Sequence, residues 1–197
     1  HISLRVKELT KKTSAFKIFD AINSFSSESE IRYVGGCLRK IINKEKVDDI
    51  DLATNLEPLQ TCDALKKGNI NYYKTGIEHG TITAVIDNNR FEITSLREDI
   101  STDGRHAKVK FSRNWKEDAK RRDFTINALY YDPYSNEISD YTTGLKDLKE
   151  KKIKFIGDPE TRIQEDPIRI LRAIRFASKL KFQIDHKAHN PIKNSVL

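Results

Sequence analysis

The sequence contains no methionine and only two cysteines among its 197 residues. Cys37 and Cys62 show none of the paired spacing of zinc sites or disulfide frameworks, so neither is indicated and a reducing compartment fits best. No apolar run approaches the roughly 20 residues that cross a bilayer, and the first residues lack the apolar stretch of a secretory signal. These absences predict a soluble, cytoplasmic protein with no membrane partner, and they leave a mitochondrial, nuclear or plastid copy open.

Two familiar phosphate-binding glycine patterns are also missing. Neither Gly-x-x-x-x-Gly-Lys nor Gly-x-Gly-x-x-Gly occurs in the chain, which argues against P-loop kinases and dinucleotide-dependent dehydrogenases. In contrast, 36 basic residues against 29 acidic ones give a formal charge of +7. This excess weakly favours polyanionic partners such as nucleic acid or nucleotides.

The pattern of apolar residues predicts an α+β fold. Short β-prone segments between residues 31 and 95 indicate a small mixed sheet with helices, and the polar stretch from Arg97 to Lys110 indicates a mobile loop. A turn at Gly157-Asp158-Pro159 precedes a helix that runs from Pro167 to about Leu180. We therefore expect one domain over residues 1–150 and the start of a helical second domain over residues 151–197, in a chain that is a fragment.

Acidic residues alternate with apolar ones in the segment Asp49-Ile50-Asp51-Leu52. In a strand, Asp49 and Asp51 would project from the same face, and Glu92 in the later segment Phe91-Glu92-Ile93 could join them. Carboxylates that close repel each other unless a cation neutralises them, and their hard oxygens suit Mg²⁺. The alternatives are a solvated acidic turn and an ordinary glutamate on the surface of a sheet.

Gly35 and Gly36 separate a predicted strand from a predicted helix. Backbone N–H groups in such a turn, together with the helix N-terminus, can hold a triphosphate, with Arg39 as a counter-charge one turn further. A plain tight turn is the alternative.

Arg121 and Arg122 immediately precede the apolar segment Phe124-Thr125-Ile126. Their place at the edge of a predicted core favours contacts with phosphate or ribose. The alternative is a surface charge pair with Asp118 or Asp123.

The helix predicted after Pro167 carries two adjacent rows of side chains at i, i+3 spacing. The apolar row, which we expect to pack, comprises Ile168, Leu171 and Ile174. The basic row, which we expect to face an anion, comprises Arg169, Arg172 and Arg175. An ordinary basic amphipathic surface helix is the alternative.

Asp166, at the start of that helix, suggests a way to recognise bases. Its carboxylate can accept a hydrogen bond from an exocyclic amine, while Arg169 can donate to a ring acceptor. Cytosine and adenine both offer an amine beside an acceptor, whereas uracil and guanine place a carbonyl where the amine would be. The pair would therefore select C and A without a template.

Five segments in order resemble class II tRNA nucleotidyltransferases (CCA-adding enzymes) and the related bacterial-type poly(A) polymerases. The segments are Gly35-Gly36-Cys37-Leu38-Arg39, Asp49-Ile50-Asp51, Arg121-Arg122-Asp123-Phe124-Thr125-Ile126-Asn127-Ala128, Gly144-Leu145-Lys146-Asp147-Leu148 and Glu165-Asp166-Pro167-Ile168-Arg169. The resemblance spans roughly residues 31 to 182. It implies a polymerase-β-like catalytic head, a helical neck, and addition of CMP and AMP to the 3′ end of tRNA from CTP and ATP.

The resemblance also implies a role for each matching residue. Asp49 and Asp51 would bind Mg²⁺, with Glu92 assisting, and Gly35, Gly36 and Arg39 would hold the triphosphate. Arg122 would contact the nucleotide, Asp166 and Arg169 would read its base, and Arg172 and Arg175 would lie close to phosphate or base. The stretch from Arg97 to His106 resembles the flexible loop of the family.

The sequence departs from the family at Lys40, where the family usually has aspartate. The body and tail domains that grip tRNA in the family have no counterpart before Leu197. A poly(A) polymerase, an enzyme that adds only CC or only A, and a non-catalytic RNA- or nucleotide-binding module remain as alternatives.

Overall fold

The computed structural model describes residues 1–101 and 108–195. The chain forms two compact units. The first comprises His1–Arg97, Phe111–Trp115 and Tyr130–Ser139, and the second comprises Glu98–Lys110, Lys116–Leu129 and Asp140–Leu197. Since these segments interleave along the chain, the boundary near residue 150 stays a prediction about domains.

Helices and strands are interspersed along the whole described chain. In the first half of the chain they are α1 (Ile2–Lys12), α2 (Phe16–Asn23), β1 (Ile31–Val34), α3 (Gly35–Ile42), β2 (Ile50–Thr54), α4 (Pro58–Lys67), β3 (Asn71–Gly76), β4 (Thr81–Ile86) and β5 (Asn89–Ser95). In the second half they are β6 (Arg97–Ser101), β7 (Lys108–Phe111), α5 (Trp115–Lys120), β8 (Leu129–Asp132), β9 (Glu137–Asp140), α6 (Gly144–Lys149), β10 (Lys152–Ile153), α7 (Pro159–Glu165), α8 (Ile168–Leu180), β11 (Gln183–Ile184) and α9 (His189–Ser195).

A seven-stranded mixed sheet carries the order β3-β4-β5-β2-β1-β8-β9. Strands β2 and β5 are parallel, whereas β1 pairs antiparallel with both β2 and β8, and β4 pairs antiparallel with β3 and β5. The predicted α+β class with a small mixed sheet is confirmed.

One face of this sheet forms the core of the first unit. Alternate residues such as Leu52, Ile82 and Ile93 are buried there, and helices α2, α3 and α4 contact the strands. Tyr33 in β1 shares a 2.7 Å hydrogen bond with the Thr10 hydroxyl of α1, and burial raises the pKa of its phenol. The residues at the intervening positions of each strand therefore point to the other face of the sheet, away from these helices.

Helices α1 and α2 are separated at Ser14, which has a φ of 61°. Strand β8 carries β-prone tyrosines that pair with β1. The flanks of the expected mobile loop form the two-stranded sheet β6-β7, and residues 102–107 lie outside the described part of the chain.

Aromatic rings form part of the core of the second unit. The ring of Phe124 meets those of Phe155 and Phe176 edge-on, at centroid distances of 5.1 and 5.7 Å. Asp147 of α6 is buried and accepts 2.6 Å hydrogen bonds from the hydroxyls of Thr125 and Thr143. These contacts fix the segment after Arg121 and Arg122. In residues 1–101 and 108–195, no helix is long and apolar enough to cross a membrane.

Gly144 allows α6 to approach this segment closely. A Cβ atom at Gly144 would lie 2.4 Å from the Thr125 carbonyl oxygen and 2.9 Å from Leu129 Cδ2. We expect Gly144→Ala to lower the free energy of unfolding by about 3 kcal/mol, because a backbone atom must shift. Urea denaturation measures this loss. Gly36→Ala is the matched control, since its Cβ would meet only Arg39 Nη2, at 3.8 Å, and an equal loss in both variants would contradict the packing argument.

Candidate active site

Two of the predicted carboxylates lie side by side on the sheet. Asp51 in β2 and Glu92 in β5 are direct partners in the parallel register, so their side chains leave the same face, roughly 4.8 Å apart along the hydrogen-bonding direction. Asp51 is half-buried and Glu92 is exposed. Asp49 is exposed and lies one residue before β2 begins. The strand alternation inferred from sequence therefore holds for Asp51 and Glu92.

The donor chemistry at this place suits a hard divalent cation. Carboxylate oxygens are the ligands that Mg²⁺ and similar ions prefer, and Asp51 and Glu92 present them from adjacent strands. Among the residues that the structure describes, no group of three histidine, cysteine, aspartate or glutamate residues could hold a metal ion. A three-carboxylate cluster that includes Asp49 thus stays a prediction.

The glycine turn lies at the start of α3. Gly35 has a φ of 70°, a left-handed conformation that glycine adopts without steric cost. Arg39 is buried, and its Nη2 atom would lie 3.8 Å from a Cβ on Gly36. Burial lowers the pKa of the Arg39 guanidinium, yet arginine stays protonated in proteins. A fixed positive charge therefore lies beside the helix N-terminus, where anions bind favourably.

Cys37 joins this helix to the carboxylate strand. Its Sγ donates to the carbonyl oxygen of Asp51 at 3.5 Å and to that of Val34 at 3.4 Å. Burial raises the pKa of the thiol to about 12, so it stays protonated and remains a donor at neutral pH. The glycine turn and Asp51 are thereby held next to each other, a link that sequence reasoning missed because a lone cysteine gives no such signal.

Lys40, where the resembling family has aspartate, contacts the acidic loop before β2. Its Nζ lies 4.0 Å from Asp48 Oδ2, and the Asp48 side chain is well exposed. An exposed pair at this distance contributes little to stability. Lys40 thus makes a weak contact next to Asp49.

In the second unit, one buried carboxylate holds both predicted arginines. Asp118 is fully buried. Its Oδ1 accepts from Arg121 Nε at 3.1 Å, and its Oδ2 accepts from Arg122 Nη2 at 3.3 Å. Arg162 donates to the carbonyl oxygens of Arg121 and Arg122 at 2.9 and 2.7 Å. The ion pair with Asp118, which the sequence left as an alternative, is present in the structure. It holds both guanidinium groups in place.

We expect Asp118→Asn to lower the free energy of unfolding by about 3 kcal/mol, because two largely buried guanidinium groups lose their counter-charge. Urea denaturation tests this expectation. Glu117→Gln is the control, since Glu117 pairs with Lys120 at 3.4 Å where both side chains are exposed, and its loss should stay below about 0.5 kcal/mol. Equal losses in the two variants would show that Asp118 is not a structural anchor.

Asp166 and Arg169 are both held by their own neighbours. Asp166 Oδ1 accepts from the backbone N–H of Ile168 at 3.2 Å, at the start of α8. Arg169 is buried, and its Nη1 donates to the carbonyl oxygen of Arg162 at 2.7 Å and to Glu165 Oε2 at 3.2 Å. Glu165, four residues before Arg169, is a positioning contact that helical spacing could have suggested. Burial lowers the pKa of Arg162, and nearby Arg169 adds to that effect.

The apolar row on α8 does not pack, contrary to the expectation from sequence. Its members are exposed: Ile168 by 62%, Leu171 by 62% and Ile174 by 48%. Ile170 and Ala173 are buried instead, because the helix turns the next stripe of its surface towards the core. In the basic row, Arg172 Nη2 lies 2.7 Å from Asp123 Oδ2, and Arg175 is exposed.

A hollow of about 350 Å³ lies in the second unit. Its charged lining comprises Glu98, Asp99, Glu117, Lys120, Arg121, Arg162 and Glu165. Glu165, which accepts from Arg169, borders this hollow. Arg162, which donates to the carbonyl oxygen of Arg122, borders it as well.

Residues 31–154 match the family model described as the poly A polymerase head domain. The chain belongs to this family. The match includes the glycine turn, the carboxylate strands and the Arg121-Arg122 segment, and it confirms the resemblance found in the sequence. Nucleotidyltransferases typically use divalent metal ions, which agrees with the donor chemistry at Asp51 and Glu92.

The chain is also similar in sequence and structure to individual proteins. Human CCA tRNA nucleotidyltransferase 1, mitochondrial, is 44% identical over 152 residues, covering 77% of this chain and 35% of the human protein. A Bacillus stearothermophilus CCA-adding enzyme in complex with CTP superposes with a TM-score of 0.79 at 29% identity, covering 90% of this chain and 41% of that one. A tRNA nucleotidyltransferase complexed with a primer tRNA and an incoming ATP analog gives 0.71 at 29% identity, covering 86% and 47%. The chain spans less than half the length of each of these proteins.

Proposed function

We propose that this chain is the catalytic part of a nucleotidyltransferase that adds CMP and AMP to the 3′ end of tRNA, with CTP and ATP as donors and pyrophosphate as the leaving group. One observation carries the proposal. Cys37 connects the glycine-led helix α3, with Arg39 beside its N-terminus, to Asp51, and Asp51 is the register partner of Glu92. The proposed triphosphate site and the proposed cation site would therefore lie next to each other in the first unit.

The names of the relatives support this choice of substrates. The human relative is a CCA tRNA nucleotidyltransferase, and similar structures were determined with CTP and with a primer tRNA plus an ATP analog. Both the transferred nucleotides and the accepting RNA in the proposal follow from these relatives.

The predicted site residues of the first unit form two sets, one that would bind the metal ion and one that would bind the triphosphate. Asp49 and Asp51 would hold Mg²⁺ with help from Glu92, and the amides of Gly35 and Gly36 with Arg39 would bind the triphosphate. Bound Mg²⁺ would neutralise the negative charge that develops on the attacking oxygen and on the departing pyrophosphate. The oxygen of the RNA 3′ hydroxyl would form a bond to the α-phosphorus and lose its proton to solvent, while the bond between the α-phosphorus and the pyrophosphate oxygen breaks.

Residues of the second unit would orient and select the nucleotide. Arg122, held by Asp118, would contact the nucleotide. Asp166 would accept from the exocyclic amine, and Arg169 would donate to the ring acceptor. Arg172 and Arg175 would lie near phosphate or base. Because Asp166 Oδ1 already accepts from the backbone N–H of Ile168, Asp166 Oδ2 would accept the hydrogen bond from the base.

The proposal includes the domain division and the location. Residues 1–150 would form the head and residues 151–197 the beginning of the neck. We propose the cytoplasm as the location, with a mitochondrial copy as the alternative that the name of the human relative favours.

A poly(A) polymerase is the second candidate, because the matching family model carries that name. Primer extension on a tRNA transcript without its CCA end, with each nucleoside triphosphate alone and then mixed, separates the candidates. We expect three additions that stop at CCA. Long A tails would indicate the polymerase, CC alone or A alone would indicate a partial enzyme, and unchanged CMP incorporation by Asp49→Ala would refute the mechanism.

A further inference from the structure

We propose that a basic hollow in the first unit binds the phosphate backbone of the RNA whose 3′ end is extended; this proposal rests on the proposed function. The hollow, of about 350 Å³, lies between α1 and the segment that follows α3. Its basic residues are Arg5, Lys12, Lys44 and Lys46, and its acidic residues are Glu8 and Glu45. This set is called the basic hollow below.

Three lysines of the basic hollow are available to a ligand. Lys12, Lys44 and Lys46 are exposed, and within the described part of the chain none of them takes part in an ion pair. Arg5 differs, because its Nη1 donates to the Ile41 carbonyl oxygen at 3.0 Å and so fixes α1 against the last turn of α3. Arg5 therefore forms part of the wall of the basic hollow, and the three lysines supply the positive charge that would bind phosphate.

The chemistry of the basic hollow suits a strand of phosphates better than a free nucleotide. It borders the C-terminal end of α3, where a helix presents carbonyl oxygens instead of the free N–H groups found at its N-terminus. A compact triphosphate would find no backbone N–H cradle there, in contrast to the glycine turn. Separate lysines on two segments can instead contact successive phosphates of a nucleic acid, which is how proteins bind the backbone without reading sequence.

The position of the basic hollow along the chain fits the same partner. Lys46 precedes Asp49 by three residues, so their Cα atoms lie within about 11 Å of each other even if the segment is fully extended. An RNA whose 3′ hydroxyl reaches Asp49 would therefore have backbone phosphates within reach of Lys46. The basic hollow thus becomes a holding site for the RNA close to its reacting end.

The test compares two triple variants with equal loss of charge. The first carries Lys12→Gln, Lys44→Gln and Lys46→Gln. The control carries Lys17→Gln, Lys66→Gln and Lys149→Gln, three exposed lysines that do not line the basic hollow. For each full chain, the affinity for a tRNA transcript without CCA is measured at several KCl concentrations, and CTP binding is measured separately.

We expect the first variant to bind the transcript roughly ten-fold more weakly at low salt, with a slope of log K against log[KCl] shallower by about 2, since three phosphate contacts are lost. CTP binding should stay unchanged, and the control should keep the wild-type slope. Equal slopes in both variants, no transcript binding by the wild type, or a loss confined to CTP binding would overturn the proposal. Absence of CMP incorporation by the wild type would instead refute the proposed function, because the slopes do not depend on catalysis.

Discussion

Replacement of Asp51 by asparagine should lower the rate of CMP incorporation by at least about 10³-fold, while the affinity for tRNA stays within about two-fold. The amide keeps the shape of the side chain but removes the charge that would hold a divalent cation beside the triphosphate, and such ions contribute several kcal/mol to transition-state stabilisation. Single-turnover incorporation of labelled CTP gives the rate, and filter binding gives the affinity.

Asp48→Asn provides the matched control for this experiment. Asp48 is exposed and contacts only Lys40 among its ion pairs in the described residues, at 4.0 Å, so its loss should change the rate by less than about three-fold. If Asp51→Asn retained wild-type activity, or if both variants lost activity equally, Asp51 would have no special role and the proposed chemistry would fail.

Replacement of Asp166 by asparagine should shift the UMP-to-CMP incorporation ratio by at least about 100-fold in favour of UMP. The new side-chain amide keeps an oxygen for the backbone N–H of Ile168 but turns an N–H₂ donor towards the base, where a uracil carbonyl can accept and a cytosine amine cannot. A site built to pair with one polar group discriminates strongly against the opposite one. Incorporation is measured with each nucleotide alone on the same primer.

Asp158→Asn is the control for base selection. Asp158 is also an aspartate next to a helix start in the second unit, where it accepts from the backbone N–H of Thr161 at 3.1 Å, and hydrogen bonds from Thr161 lower its pKa. Its replacement should leave the ratio unchanged. An unchanged ratio in Asp166→Asn, with normal CMP incorporation, would remove Asp166 from the base-reading role.

Local patterns in the sequence predicted the sheet side of the site well. Alternation placed Asp51 and Glu92 on polar faces of their strands, and the Gly35-Gly36 pair marked the start of α3. The sequence could not show that β2 and β5 are neighbours in a parallel register, because strands far apart in the chain carry no signal of their partner. The Cys37 contact with Asp51 was hidden for the same reason.

The helix α8 shows where local patterns fail. Two apolar stripes at helical spacing compete on its surface, and the one chosen from sequence, with Ile168 and Leu171, is exposed. Burial depends on which neighbouring elements the helix meets, so spacing alone could not choose between the stripes. Arg169 is buried as well, and its contact with Glu165, four residues earlier, is one that helical spacing could have suggested.

A crystal structure with CTP and Mg²⁺ bound would show whether the proposed carboxylates hold the metal. We expect an ion about 2.1 Å from carboxylate oxygens of Asp49 and Asp51, with the triphosphate on the amides of Gly35 and Gly36 beside Arg39. Carboxylates turned away from the ion, or a triphosphate bound elsewhere, would contradict this expectation.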